Sequence, residues 1–474
     1  MSAWAASAVR QWGKIPVRFL PFADAATADL PLGQLMRLGL FQISVAMAIV
    51  LLNGTLNRVM IVELGVSSAL VATMISIPLL FAPLRAVIGY RSDNYRSALG
   101  WRRAPFIWIG SMLQFGGLAI MPFALILLSG DSQGAPWIGV VGAALAFLLV
   151  GAGLHTTQTA GLALATDLAP ADKRPRVVAF LYVMLLAGTV ASSFAFAALL
   201  QNFSQIRLIQ VIQGAGALTL ILNTIALWKQ EARQPNRPTD GDKEDFWTTW
   251  RLFAALPNAK RTLVTVALGT AAFSMQDILL EPYGGEVLHL PVSQTTALTG
   301  WLGAGMLAGF LIAAHQLSKA TNTYRLAACG ALTGLLAFPC VIFSAPAGSP
   351  ELFKVGACLI GLGSGLFSVA TLTAAMAIAD KKANGVALGA WGAVQASAAG
   401  VAIALSGAIK DAVARLSAEG VLGPAFDSPS SAYNTVYHIE ILLLFATLVA
   451  LGPLAGKRRH NVDTANFGLA EFPG

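Results

Sequence analysis

Twelve stretches of the sequence are rich in apolar residues and almost free of Asp, Glu, Lys and Arg. A helix needs about 20 apolar residues to cross the hydrocarbon core of a bilayer. Ten stretches reach that length, namely 38–57, 64–84, 104–130, 132–166, 177–206, 208–228, 287–318, 326–350, 355–379 and 383–409. Stretches 262–276 and 441–456 reach it when the polar shoulders 277–281 and 433–440 are included. The chain is therefore predicted to cross a membrane about twelve times.

The stretches favour helices over the strands of a membrane barrel. They are continuously apolar, whereas a barrel strand alternates apolar and polar residues over about ten positions. A helix also pairs its backbone polar groups within one segment, as lipid requires. Charged residues make up only 11% of the chain, against about 25% in a typical soluble domain. We therefore predict an all-α membrane protein and expect no soluble enzyme.

Positive charge is distributed unevenly between the two sides of the predicted bundle. With twelve spans, both termini lie on the same side of the membrane. Of the 31 Lys and Arg residues, all but five fall on that side, and the exceptions are Arg58, Arg207, Lys354, Lys410 and Arg415. Because cytoplasmic loops carry the positive excess, both termini are predicted to be cytoplasmic. The net charge of +8 then reflects topology and anionic lipid, and no nucleic-acid partner is expected.

A charged connection at 229–261 divides the chain into two sets of six spans. The predicted halves are 35–228 and 262–456, flanked by a cytoplasmic or interfacial segment at 1–34 and a cytoplasmic tail at 457–474. Two pseudo-symmetric six-helix halves are the plan of the major facilitator superfamily, in which ligands bind near the midplane between the halves. We predict that fold.

The loop after the second stretch resembles a signature of that superfamily. Gly89, Asp93 and Arg96 match its G-x-x-x-D-x-x-R element. Glycine permits tight helix packing, and the two charged residues can make charge-assisted contacts that hold neighbouring helices in one arrangement. The equivalent loop of the second half, 318–325, keeps little of the pattern. These residues are predicted to form a conformational motif.

His155 is the most informative polar residue inside the apolar stretches. It precedes Asp167, placed at the cytoplasmic boundary, by twelve residues, which corresponds to about 18 Å of helix and a position near the bilayer middle. Gln158 and Thr159 follow at i+3 and i+4 and are predicted to share its face. Neutral imidazole can be an axial ligand of a tetrapyrrole metal when its other nitrogen has a partner. The alternative is that the three residues bridge helices through hydrogen bonds.

The seventh stretch ends in Gln276, Asp277 and Glu281, and a helix break is predicted at 282–285. Carboxylates at i and i+4 share a helix face and repel each other if both are ionised, so one would be protonated or meet a cation. A proton-coupled carrier could use such a pair. Because the pair is predicted near the outer boundary, simple solvation is the alternative.

Asn53 and Asn57 share a face of the first stretch, with Arg58 beside them. The two amides are candidates for ligand binding, whereas hydrogen bonding between helices and snorkelling of the arginine explain the same pattern structurally. The run Gly361 to Gly365 predicts close helix contact. It lacks the strand and helix context of a nucleotide fingerprint, and no nucleophile or hydrolytic metal cluster is recognised.

Four longer segments carry a resemblance to a known family. They are 54–65, 89–96 continuing into 98–103, 155–167 and 276–285. In these segments, and across nearly its whole length, the chain resembles the light-harvesting complex assembly family typified by PucC. That family is also called the bacteriochlorophyll delivery family of the major facilitator superfamily. Several long segments in the same order are more specific than any short motif.

The resemblance implies a membrane factor of purple phototrophic bacteria, located in the inner, intracytoplasmic photosynthetic membrane. Such a factor would deliver bacteriochlorophyll to the antenna polypeptides or shepherd those polypeptides, without acting as an enzyme. Bacteriochlorophyll is the implied cofactor, with His155 as the axial ligand to its magnesium, and carotenoid is a second candidate. Implied partners are the light-harvesting antenna polypeptides, the reaction-centre or core complex, bacteriochlorophyll synthase and the lipid bilayer. One alternative is a proton-coupled secondary transporter of a small or amphipathic solute, and another is a purely structural partner that binds the core complex and no pigment.

Overall fold

The computed structural model of the chain describes residues 25–27, 30–80, 101–130, 135–170, 173–231, 258–319, 321–378 and 384–456. Every regular element within those residues is a helix. Eleven helices are long and apolar enough to cross a membrane, and a shorter apolar helix lies between the first two of them. The prediction of an all-α, multi-pass membrane protein of about twelve spans is confirmed.

We number the helices span 1 to span 12 in chain order. Their bounds are Leu32–Glu63, Ser68–Leu80, Ala104–Leu128, Pro136–Leu168, Arg174–Leu199, Gln205–Leu227, Ala259–Glu286, Val292–Ser318, Thr323–Ser344, Pro350–Ile378, Asn384–Ala418 and Ser430–Ala455. We call the end of the bundle where span 1 begins the proximal end, and the end where span 1 finishes and span 2 begins the distal end. Successive spans run in opposite directions between these two ends.

Spans 1 to 6 precede the segment 232–257 and spans 7 to 12 follow it, and that segment lies outside the described residues. The helix of span 7 begins at Ala259, inside the range predicted for the central loop. Between the halves, span 2 packs on span 11, and span 5 packs on span 8. The hydroxyl of Ser193 in span 5 donates to the carbonyl of Thr296 in span 8 over 2.6 Å. Such contacts join the halves in the distal part of the bundle.

Glycines bring several helices into backbone contact. A Cβ added at Gly365 in span 10 would lie 2.5 Å from the carbonyl oxygen of Met306 in span 8. One added at Gly330 in span 9 would lie 2.7 Å from the carbonyl oxygen of Gly363. A side chain at either position would force the backbones apart, so small residues permit this packing. The close contact predicted from the run Gly361 to Gly365 is confirmed.

Spans 1 and 7 depart from regular α-helix where they approach each other. Span 1 is π-helical over Val50–Leu56 and again over Val59–Glu63. Span 7 tightens to a 3-10 segment at Met275–Ile278 and resumes as an α-helix at Leu280–Glu286. π segments and 3-10 segments inside helices often occur at functional sites and hinges. The π segment Val50–Leu56 contacts the 3-10 segment, so both irregularities lie at the junction of the halves.

The predicted break at 282–285 is wrong in position. Those residues are helical and buried, and the irregular segment precedes them. Pro282 lies in the first turn of the resumed helix, where proline is tolerated because the amide groups of a first turn have no partner within their own helix. Sequence patterning placed the break at the proline, whereas the structure places it one turn earlier.

Candidate functional site

Span 4 presents a continuous accessible stripe along one side. Its distal part carries the exposed apolar side chains of Val141, Leu145 and Leu148. The same helical spacing of three and four residues leads to His155 and Thr159, both partly exposed. An imidazole is thus presented at the inner end of a row of apolar side chains. This arrangement suits an amphipathic ligand that has an apolar body and one group able to bind nitrogen.

The structure separates the three residues that the sequence grouped around His155. His155 and Thr159 lie on the accessible stripe, whereas Gln158 is only 8% exposed and lies on the packed side of span 4. The neighbouring Thr157 is fully buried and accepts a hydrogen bond of 3.0 Å from Gln114 of span 3. His155 and Thr159 are thus partly accessible, whereas Gln158 is packed inside the bundle.

The polar cluster of span 1 faces the second half of the protein. Asn57 is fully buried, and its amide donates to the carbonyl of Asn53 one turn earlier over 2.5 Å, while Asn53 stays partly exposed. Arg58 is 4% exposed and contacts Glu63 and the carbonyl of Leu290, the latter at 3.3 Å. The snorkelling predicted for Arg58 is wrong because the guanidinium is paired inside the protein. The pair of asparagines is placed near the junction of the halves.

Glu281 belongs to span 7, and its side chain faces span 8 and span 1. Its side chain is 4% exposed and accepts a hydrogen bond from the hydroxyl of Thr299, and a Cβ added at Gly54 would lie 3.1 Å from its Oε2. The alternative of simple solvation at the membrane boundary is therefore wrong for Glu281. The π-helical turn of span 1 brings a glycine against the carboxyl group, which sequence spacing in span 7 could not reveal.

Asp277 has a different set of partners from Glu281, although the sequence predicted one shared face. The 3-10 segment directs it to Gln276, whose amide donates to Oδ1 of Asp277 over 2.5 Å. The backbone N–H of Gln276 donates to Oε1 of Glu440 in span 12 over 2.7 Å. Glu440 is fully buried and was missed by the sequence analysis. The one sequence feature that could have indicated this buried acid is its place in the polar shoulder 433–440, next to the last apolar stretch.

A second group of charged residues ties span 3 to spans 4 and 6 at the proximal end. Arg103 donates to Asp167 over 3.1 Å, and Arg102 also pairs with Asp167. Glu231, just beyond span 6, accepts from the backbone N–H groups of Arg102, Arg103 and Ala104 at the start of span 3 over 2.7 to 3.1 Å. The predicted motif of Gly89, Asp93 and Arg96 lies outside the described residues.

Glu231→Ala is expected to destabilise the protein by about 1 to 2 kcal/mol, because three N–H groups at a helix start lose a charged acceptor. The measurement is thermal unfolding of the purified protein in detergent. Glu419→Ala, which removes an exposed acid at the end of span 11, is the matched control and is expected to change little. Equal unfolding temperatures for the two variants would contradict the capping role.

The described residues hold no group of three or more His, Cys, Asp or Glu side chains placed to bind a metal ion. A tetrapyrrole, by contrast, needs one axial ligand and an apolar surface, since its own nitrogens hold the metal. His155 and the stripe of Val141, Leu145 and Leu148 fit those needs, and the imidazole is partly accessible. The chemistry of span 4 therefore fits a pigment better than a free metal ion.

The two-half bundle has a fold of the major facilitator type. One solved structure with this fold is a bacterial homologue of the human lysosomal transporter Spinster, in an inward-facing and occupied conformation. It superposes with a TM-score of 0.65 at 16% identity and covers 89% of this chain and 96% of its own. At that identity the likeness shows the fold alone.

The chain belongs to the family described as PUCC protein, whose model matches residues 55–459. A protein of Rhodobacter capsulatus, described as uncharacterized and located in the puhA-bchM intergenic region, is 54% identical over 98% of this chain and 99% of its own length. Protein PucC of Rhodovulum sulfidophilum is 54% identical over 86% of this chain and 91% of its own length. The resemblance seen in the sequence segments is confirmed.

Proposed function

We propose that the protein is an assembly factor for bacterial light-harvesting antenna complexes, which holds bacteriochlorophyll and delivers it to antenna polypeptides. The observation that carries the proposal is membership of the PucC family over residues 55–459. The accessible stripe of span 4 supports it, because His155 there is bordered by exposed apolar side chains. In this proposal the protein binds and positions its cargo and catalyses no reaction.

His155 is the residue proposed to hold the pigment. When bound, bacteriochlorophyll supplies a magnesium ion that accepts an axial ligand, and neutral imidazole is a suitable one. Val141, Leu145 and Leu148 offer an apolar surface that begins two helical turns before it, and Thr159 provides a hydroxyl one turn further on. Asn53 and Asn57 remain candidate polar contacts at the junction of the halves. The same apolar surface could also accept a carotenoid.

Release is as important as binding for such a role. A single axial ligand on an accessible stripe gives moderate affinity, which lets a partner with better ligands take the pigment. The proposed recipients are the antenna polypeptides. The reaction-centre or core complex and bacteriochlorophyll synthase are the other proposed partners. The proposed location is the intracytoplasmic photosynthetic membrane, with both termini in the cytoplasm on the basis of the positive-charge distribution.

Deletion of the chain's gene in a phototrophic host tests the proposal. The account predicts a strong loss of one antenna complex, read from the near-infrared absorption of isolated membranes, with reaction centres retained. Complementation with the parent chain should restore the absorption. Unchanged levels of both the peripheral and the core antenna in the deletion strain would contradict the proposal.

A proton-coupled transporter is the second candidate, favoured by the buried Glu281 at the junction of the halves. In that account Asp277 and Glu281 would couple proton movement to solute uptake. The test is solute-dependent proton movement into vesicles that contain the purified protein, compared with the variant carrying Asp277→Asn and Glu281→Gln. Absence of such movement with the parent protein across a panel of amphipathic solutes would remove this candidate.

A further inference from the structure

Glu440 is an acid enclosed by the second half of the bundle. Its side chain is fully buried in span 12. Oε1 accepts the 2.7 Å hydrogen bond from the backbone N–H of Gln276, whereas Oε2 has no hydrogen-bond partner. Burying an ionised carboxylate costs several kcal/mol unless it is paired, so an oxygen in this state calls for a positively charged partner or a proton.

Two residues next to Glu440, one on its own helix and one that donates to it, also carry a buried oxygen atom without a hydrogen-bond partner. One is Oε1 of Gln276, a side chain that is 1% exposed and whose Nε2 is bonded to Asp277 at 2.5 Å and to the carbonyl of Phe273 at 3.2 Å. The other is the hydroxyl of Tyr437, a fully buried side chain one turn before Glu440 on the same helix, whose ring packs against Tyr283. Buried polar atoms are nearly always satisfied in folded proteins, so such atoms on neighbouring residues point to a ligand.

The cationic side chains of the surrounding spans are engaged elsewhere. Neither Asp277 nor Glu440 forms an ion pair with a Lys or Arg within the described ranges. Titratable groups of the neighbouring spans have partners of their own: Arg58 pairs with Glu63, and Lys410 with Glu286 and Asp411. Tyr433 donates to Glu286, and Tyr283 donates to the carbonyl of Val341. Glu281 accepts from Thr299 through Oε1, while its Oε2 is buried without a hydrogen-bond partner. Within the described residues, the two carboxyl groups that contact Gln276 therefore have no ion-pair partner.

Backbone geometry adds to the negative potential of this site. The α-helix Ala259–Ser274 ends directly before the 3-10 segment that carries Gln276 and Asp277. The C-terminal end of a helix carries partial negative charge and favours a cation. Interrupted helices of membrane carriers place such ends and their carbonyl groups around Na⁺ or a proton. The interruption of span 7 has that arrangement.

We propose that Asp277, Gln276, Tyr437 and Glu440 form a binding site for one monovalent cation, Na⁺ or a proton, between spans 7 and 12. The ligands are the two carboxyl groups, the amide oxygen of Gln276 and the hydroxyl of Tyr437, all hard oxygen donors of the kind that small cations prefer. Asp277 is partly exposed and provides the entry, whereas Glu440 forms the closed end. The bound cation ties span 12 to the irregular segment of span 7. This site is independent of the pigment role.

The test is thermal unfolding of the full chain purified in detergent, in NaCl, KCl and choline chloride at equal ionic strength, at neutral and mildly acidic pH. If Na⁺ is the cation, NaCl raises the melting temperature by several degrees over choline chloride, because a ligand that binds only the folded state stabilises it. If the proton is the cation, the melting temperature in choline chloride rises on acidification, since the folded state holds more protons than the unfolded state.

Glu440→Gln is expected to abolish whichever response the parent shows, and the exposed-acid variant Glu419→Gln is expected to retain it. If Glu440→Gln does not fold, Asp277→Asn, at the accessible side of the site, provides the same comparison. Equal melting temperatures of the parent protein in all three salts at both pH values would overturn the site. So would a Na⁺ or acid response that survives in Glu440→Gln or in Asp277→Asn.

Discussion

Replacement of His155 with alanine is expected to lower the ratio of bacteriochlorophyll to purified protein by more than about tenfold. The imidazole is the proposed axial ligand, and even residues that only orient a metal ligand contribute about 10- to 100-fold to affinity. The stripe of Val141, Leu145 and Leu148 would remain, so residual binding should be weak and should lack the spectral signature of a ligated pigment. The measurement is the absorption spectrum of protein purified in a mild detergent.

His438→Ala is the matched control, because His438 is an exposed histidine on span 12, remote in sequence from the stripe. It should keep the pigment content of the parent protein. If His155→Ala folds, as judged by its unfolding temperature, and yet retains pigment at the parent ratio, His155 is not the ligand. Equal losses in the two histidine variants would indicate a general effect on the fold.

Gly407→Ala is expected to separate the two halves at the distal end. A Cβ at position 407 in span 11 would lie 2.5 Å from the carbonyl oxygen of Ser68 and 2.6 Å from the Cβ of Ala72 in span 2. The neighbouring Asp411 accepts the backbone N–H of Ala69 over 2.7 Å, so the same contact also holds the start of span 2. Overpacking of this kind costs about 1 to 3 kcal/mol, which lowers the population of the arrangement with the halves packed together at the distal end by roughly five- to 150-fold.

Accessibility of Thr296 reports that shift. Thr296 is fully buried between the halves, where its hydroxyl lies 3.1 Å from that of Thr55. A cysteine placed there, after the three native cysteines are replaced, should react with a water-soluble maleimide faster in Gly407→Ala than in the parent. Gly389→Ala is the control on the same span, since a Cβ there meets no atom within 4 Å. Identical labelling rates in the two glycine variants would contradict the predicted separation of the halves.

Much of the fold was predictable because lipid imposes a simple rule on sequence. A run without charges that is long enough to cross a bilayer has few structural options, so the helices at Ala104–Leu128 and Gln205–Leu227 begin and end within a few residues of the predicted stretches. The glycine run at Gly361 likewise indicated close packing, because small side chains are needed wherever backbones touch. The spacing of His155 from Asp167 indicated a position inside span 4, away from its ends, whereas the accessibility of the imidazole was not predicted.

The irregular centre of the protein could not be predicted in the same way. The π-helical turns of span 1 and the 3-10 segment of span 7 depend on contacts between residues far apart in the chain, such as Gln276 with Glu440. The burial of Arg58 and Glu281 depends on the opposite half of the bundle. Helical spacing assumes one continuous α-helix, so it assigned Asp277 and Glu281 one face where the structure gives them separate partners.

Transfer of pigment from the purified, loaded protein to pigment-free antenna polypeptides in lipid nanodiscs tests the central claim most directly. Bacteriochlorophyll labelled with a stable isotope would be followed from the protein into the antenna complex. The account predicts that label appears in spectrally intact antenna far faster than from free pigment, and that His155→Ala abolishes the advantage. Label that stays on the protein, or that reaches the antenna no faster than free pigment does, would contradict the account.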